Sequence, residues 1–219
     1  MSSRSHHIGG RTLARCQALQ LMFQAEACGR SVADVLAGEY AVDPGPLDEY
    51  GEFLARGADE CRSDLDHVLS GATRNWSLSR MSATDRNLLR ISLYEMLHND
   101  EVPVSVSIDE CVELAKDFGS SDESSRFVNG ILGRIAAQLD EGVDVVAVAR
   151  ERAAKEAAEA AERSAREAEE RARQEAENAA YDDGYGYDDY GYENESAAEQ
   201  SASAGSSSDD VPSWANEGE

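Results

Sequence analysis

Apolar residues in the first 145 positions recur every three or four residues and almost never every second one, the period of helices packed on one face. The spacing predicts a first helix over about 12–27, with Leu19, Met22 and Phe23 on one side and Gly29 near its end. A short second helix surrounds Val32, Val35 and Leu36. Asp43-Pro44-Gly45-Pro46 breaks the chain and places Pro46 as the opening residue of a third helix. In that helix Leu54, Ala58, Cys61, Leu65 and Val68 repeat toward Gly71. Ser82 stands three before Asp85, the spacing of a capping box. The helix it opens carries Leu88, Leu89, Ile91, Leu93, Tyr94, Met96 and Leu97 around most of its circumference, which predicts a central, buried element. Pro103 ends that segment. Ile108, Cys111, Val112 and Ala115 form a stripe stopped by Gly119. Val128, Ile131, Leu132 and Ile135 repeat it after Ser124 and Ser125, two candidate caps. Six or seven helices result, enough for an all-α bundle with its own core.

The pattern changes after residue 145. Residues 146–180 are Ala, Glu and Arg without a large apolar stripe, but Glu151 and Lys155, Glu159 and Arg163, Glu162 and Arg166, and Glu167 and Arg171 stand at i,i+4 with the acid first. A solvated single helix is the expectation. Residues 181–219 place five tyrosines among Gly and Asp, followed by a Ser-rich run, a composition with too little aliphatic surface to offset ordering entropy. The expected organisation is therefore a flexible basic arm over 1–11, a helical domain over 12–141, a charged helix over 146–180 and a disordered acidic tail over 181–219.

Charge narrows the function. The net charge is −24; residues 1–145 hold 13 Lys and Arg against 24 Asp and Glu, and 181–219 hold 11 acids and no base. Such a chain is a poor non-specific binder of nucleic acid, because that affinity comes from cations displacing counterions. Any RNA contact must be local. Arg4, Arg11 and Arg15, with His6 and His7, precede the first acid, Glu26, and form the basic patch in sequence. Cys16, Cys28, Cys61 and Cys111 are widely spaced, which argues for reduced, mostly buried thiols and against a zinc or dithiol site. No cofactor or metal is expected. No run has the length of a membrane span and the start lacks a signal-peptide core, so a cytoplasmic location without membrane contact is expected. Catalytic motifs are lacking: there is no Gly-rich phosphate loop, nucleophile elbow or H-E-x-x-H, and a non-enzyme is expected.

Several residues invite a binding role. Arg11 and Arg15 lie near a helix N-terminus, where the macrodipole disfavours cations unless an external anion is present. Arg86 and Arg90, four apart, serve either such an anion or an internal ion-pair network with Glu95 or Asp85. Phe127, beside Arg126 at a helix start, is either a core aromatic or a platform for an unpaired base.

Ordered blocks over about residues 8–140 resemble the NusB family: Arg11 to Phe23, Asn75 to Leu78, Asp85 to Glu95, Val102-Pro103, Ile108 to Gly119 and, most specific, Arg126-Phe127-Val128-Asn129-Gly130 continuing to Leu132. The resemblance implies two three-helix subdomains. It also implies a transcription antitermination factor that binds boxA RNA of nascent ribosomal RNA transcripts with NusE, a small-subunit ribosomal protein, and so joins the RNA polymerase antitermination complex. By that resemblance Arg11, Arg15, Arg86, Arg126 and Phe127 face RNA, whereas Phe23 and Asp85 meet NusE. Thr12 and Leu13 stand where family members often carry further arginines, which implies weak RNA binding without NusE. Two alternatives remain: a homodimeric interaction protein with a masked RNA surface, or a non-catalytic relative of the RNA-binding domains of ribosomal RNA cytosine methyltransferases.

Overall fold

The computed structural model describes residues 9–73 and 77–182. Arg4, His6 and His7 of the basic arm, Asn75 and Trp76, and the acidic segment from 183 onward lie outside the described residues. The described elements are helices: α1 (Gly10–Cys28), α2 (Val32–Leu36), α3 (Glu49–Glu60), α4 (Arg62–Ala72), a single 3-10 turn at Leu78–Arg80, α5 (Ala83–His98), α6 (Val104–Phe118), α7 (Ser124–Asp140) and α8 (Val145–Asp182).

The local chemistry explains most boundaries. Gly29 ends α1 in the left-handed region at φ 62°, a conformation that side chains with a Cβ disfavour, and its N–H returns to the Ala25 and Glu26 carbonyls. Ser31 and Asp34 form a full capping box at the start of α2. Pro46 does not open α3; Asp48 caps it by accepting from the Tyr50 N–H, while the Pro44 and Pro46 carbonyls accept from Gln17 Nε2 at 2.6 and 2.9 Å. The single helix expected across 54–68 is two, broken at Cys61, where ψ of 8° turns the chain out of the helical ladder. Ser124 and Ser125 lie inside the first turn of α7 rather than capping it.

The chain divides into two compact units, 1–167 and 168–219. In the first, α1 packs on α3 and α5, α6 pairs with α7, and α5 touches α1, α3, α4, α6 and α7. The predicted central helix is thus the hub. Leu88, Leu89 and Leu93 from α5 are fully buried with Leu21 and Met22 of α1, Leu54 of α3, Leu65 and Leu69 of α4, and Ile131, Leu132 and Ile135 of α7. Each such side chain contributes roughly 1.5–3 kcal/mol on leaving water. Val145 and Ala149 join this core from the first turns of α8, and Arg150 Nε reaches Asp64 on α4 at 2.7 Å. Lys155 pairs with Glu159 rather than with the expected Glu151, and Glu162 pairs with Arg166 at 3.7 Å. The described part of the second unit is the end of α8, exposed along 168–179. The four cysteines are free; Cys16 and Cys111 are buried, but Cys28 is exposed at the end of α1. No described helix is long and apolar enough to cross a membrane.

Candidate nucleic-acid interface

The arginines expected to face RNA separate into two groups. Arg15 lies within α1 with its side chain 5% exposed: Nε donates to both oxygens of Glu95 at 2.9 and 3.1 Å, and Nη1 lies 3.2 Å from Glu110, an ion pair without hydrogen-bond alignment. Tyr50 donates its hydroxyl proton to the same Glu95 and accepts from Asn99 Nδ2 at 2.8 Å. Burial, then the adjacent Glu95, pushes the Tyr50 phenol up to about 12. Arg15, one of the residues expected to face RNA, is thus buried in an internal ion-pair network.

Arg86 is likewise turned inward, its side chain 15% exposed. Nη1 donates to the Leu78 and Met81 carbonyls at 2.8 and 2.9 Å, and Nη2 meets Glu26. Arg90 holds Asp66 in a two-point clasp at 2.7 and 2.8 Å and reaches Glu26 at 3.1 Å. An internal network does form, therefore, but Glu26 and Asp66 close it rather than Glu95 or Asp85. Burial alone would raise the Glu26 carboxyl. Hydrogen bonds from Arg86 and Asn87 and the charges of Arg86 and Arg90 outweigh that and hold it below the ordinary carboxylate value.

Arg11 and Arg126 form the outward group. Arg11 lies over the Tyr50 ring at 5.1 Å and 3.2 Å from Glu101. Arg126, its side chain 80% exposed at the start of α7, contacts Glu123 at 3.1 Å. Phe127 is half-buried: its inner side packs on the core, and it also lines a cavity of about 270 Å³ with Arg80, Met81, Ser82, Asp85, Ser120, Ser121, Glu123 and Ser124. Phe127 is thus partly a core aromatic, and its partial exposure borders the cavity.

Asp85 is 5% exposed. Its Oδ2 accepts from the Ser82 hydroxyl at 2.9 Å and from Ser120, and its N–H donates back to Ser82 Oγ at 3.0 Å, so half of the expected capping box forms. The other oxygen, Oδ1, is buried with no hydrogen-bond partner, an arrangement that costs about 1–3 kcal/mol. The loop carrying Ser120 and Ser121 lies close because residue 119 is glycine; a Cβ there would overlap the Ala115 carbonyl and the Ser124 side chain.

Phe23, 48% exposed, lies elsewhere, in an apolar groove of about 520 Å³ lined by Leu19, Gln20, Gln24, Ala41, Thr84 and Phe118. Asp85 does not line that groove. Sequence reasoning missed Ser120, Ser121 and Arg80 in the cavity, Phe118 in the groove and Glu26 in the network. The run Ser120-Ser121-Asp122-Glu123-Ser124-Ser125 between two apolar stripes was the available signal for the cavity.

A helical bundle with Arg15, Arg86 and Arg90 drawn into internal networks, and with an exposed arginine beside a half-buried aromatic at one edge, defines an all-α protein with a candidate binding edge. The NusB family model matches residues 12–137, and the chain belongs to the NusB family. A transcription antitermination protein NusB from Rubrobacter xylanophilus is 44% identical over 122 residues, covering 56% of this chain and 86% of the relative. One from Thermobifida fusca is 40% identical over 131 residues, covering 60% and 92%. The solved structure of T. maritima NusB superposes with a TM-score of 0.52 at 35% identity, covering 59% of this chain and 92% of that one. The matched family segment ends within α7, so α8 lies beyond it.

Proposed function

We propose that this protein is a transcription antitermination factor that binds boxA RNA of nascent ribosomal RNA transcripts together with NusE, and so helps RNA polymerase read through terminators. The observation that carries the reading is the edge at α7, where the exposed Arg126 can meet a phosphate and Phe127 offers part of its ring beside a cavity. The net charge of −24 makes a broad electrostatic grip on RNA unfavourable, so specificity falls to this edge, to Arg11 and to the partner. The apolar groove around Phe23 and Phe118 suits an apolar anchor of NusE. Arg15 and Arg86 act in this reading by holding α1 and α5 in place.

The test is binding of the full chain plus NusE to boxA RNA and to a scrambled strand of equal length. Preference for boxA is expected, and equal affinity for the two strands would overturn the reading.

A further inference from the structure

We infer that the basic arm of residues 1–8 docks back on the body, with the Arg4 guanidinium on the exposed ring of Phe53 inside a rim of carboxylates. The inference goes beyond the RNA-binding reading and does not rest on it. The surface is a run of rings along α3 and the end of α5. Tyr50 stacks near Phe53 with centroids 6.1 Å apart, Phe53 meets Tyr94 at 5.5 Å, and Tyr94 meets His98 at 4.5 Å. Tyr94 lies close against α3 because residue 57 is glycine; a Cβ there would overlap its ring. Tyr94 belongs to the core, whereas Phe53 is 41% exposed and His98 is exposed beside it.

The rim selects the occupant. Glu49, Phe53, Gly57 and Glu60 fall on one side of α3 at helical spacing, and Asp100 and Glu101 follow the end of α5; all four acidic residues are exposed. Arg56, a cation on the same helix, is held by Glu52 at 2.6 Å. A phosphate would be repelled here, and an apolar segment would leave the acids unmatched. A guanidinium satisfies both ring and rim, because an aromatic face and a carboxylate each attract a cation. Arg11 does so already: in the first turn of α1, it lies 5.1 Å from the Tyr50 centroid and 3.2 Å from Glu101. The arm leads away from that point. Arg4 stands five residues before Gly9, a reach of at most about 18 Å, which covers the 6.1 Å step from Tyr50 to Phe53. Residues 1–8 carry Arg4, His6 and His7 and no acid, so the arm complements the rim in charge. Docked in this way, Arg4 repeats on Phe53 what Arg11 does on Tyr50, and it is withheld from any external anion until that anion outcompetes the rim.

The experiment is limited trypsin digestion of the full chain, with cleavage after Arg4 timed by mass spectrometry. A synthetic peptide of residues 1–9 gives the rate for an undocked Arg4. The full chain is expected to be cut roughly three- to tenfold more slowly than the peptide, the protection that an exposed cation–π contact and exposed ion pairs supply. Phe53→Ala should restore the rate of the peptide. Because that ring also touches Tyr50 and Tyr94, a second variant combines Glu49→Gln with Glu60→Gln, which leaves every ring in place and should remove most of the protection. Thermal unfolding of each variant separates a lost contact from a lost fold. Cleavage equally slow in the unaltered chain and in both variants would overturn the inference, since the protection would then come from the start of α1 alone. Cleavage as fast in the unaltered chain as in the peptide would also overturn it, because no arm would be docked. Protection that disappears on dilution would assign the face to the arm of a second copy and overturn docking within one chain.

Discussion

Arg86 and Arg126 both appear in sequence blocks that resemble one family's RNA surface, yet the bundle puts them to opposite uses. Arg86 sits in the first turn of the central helix, bonded to two carbonyls and to Glu26. Arg126 sits in the first turn of a peripheral helix with one exposed carboxylate beside it. The difference lies in what surrounds each helix start: α1 and the 3-10 turn close over Arg86, whereas nothing described packs outside Arg126. A cation at a helix start is thus ambiguous in sequence, and packing decides whether it binds the protein's own carboxylates or an external anion.

The largest expected effect comes from breaking the inner side. Glu26→Ala leaves Arg86 and Arg90 without their shared carboxylate, and stability should fall by about 3 kcal/mol, as measured by urea unfolding. The pH dependence follows from the direction of the Glu26 shift. Its folded pKa lies below the unfolded value of about 4.3, so its contribution is complete above that value and is lost as pH falls through the folded pKa. Glu26→Gln should flatten the acid limb of the stability curve, and an unchanged limb would refute the assignment.

The second network gives the next effect. Tyr50→Phe removes the hydroxyl that Glu95 accepts, and should cost about 1–2 kcal/mol. The sign at high pH is opposite to that for Glu26. The Tyr50 pKa is raised to about 12, so its contribution is complete below about 10 and is lost as pH rises through about 12. Ultraviolet titration should show late-ionising tyrosine, to which Tyr94 also contributes through burial, and Tyr50→Phe should reduce that late step by one tyrosine.

How far the sequence could be read tracks the same division between inside and edge. Apolar periodicity was enough to find α5 as hub and the stripes at Ile108 and Val128, because each residue there has one dominant interaction, burial. It failed at Cys61, where a one-residue break leaves the apolar repeat unaltered, and at Pro46, where the loop is set by Gln17 from a distant helix. For the site, residue types were legible but directions were not. Arg15 is held by Glu95, 80 positions away, and Asp85 and Phe127 share one cavity although 42 positions separate them. Local spacing carries no information about such encounters.

The outer side should respond in affinity rather than stability. Arg126→Ala is expected to leave stability within about 0.5 kcal/mol, to weaken RNA binding several-fold for all sequences alike, and to reduce the salt slope by about 1. Arg86→Ala should do the reverse, losing stability by up to about the same amount as Glu26→Ala with RNA affinity per folded molecule unchanged. Matched losses of affinity in both variants, corrected for the folded fraction, would erase the distinction between the two arginines.

The smallest effect is the most direct test of what Arg126 faces. Glu123 competes for its guanidinium at 3.1 Å, and both side chains are largely exposed, so the pair is worth less than about 1 kcal/mol. Glu123→Gln keeps the shape of the side chain while removing a charge that repels phosphate and occupies the arginine. RNA affinity should therefore rise, by less than about fivefold, and most clearly at low salt, where surface charges are least screened. Thermal unfolding should be nearly unaltered, which separates this gain from any change in folding. Weaker RNA binding in Glu123→Gln would mean that the carboxylate orders the loop 119–123 or meets the partner, and Arg126 would then no longer be the phosphate contact that the edge of α7 requires.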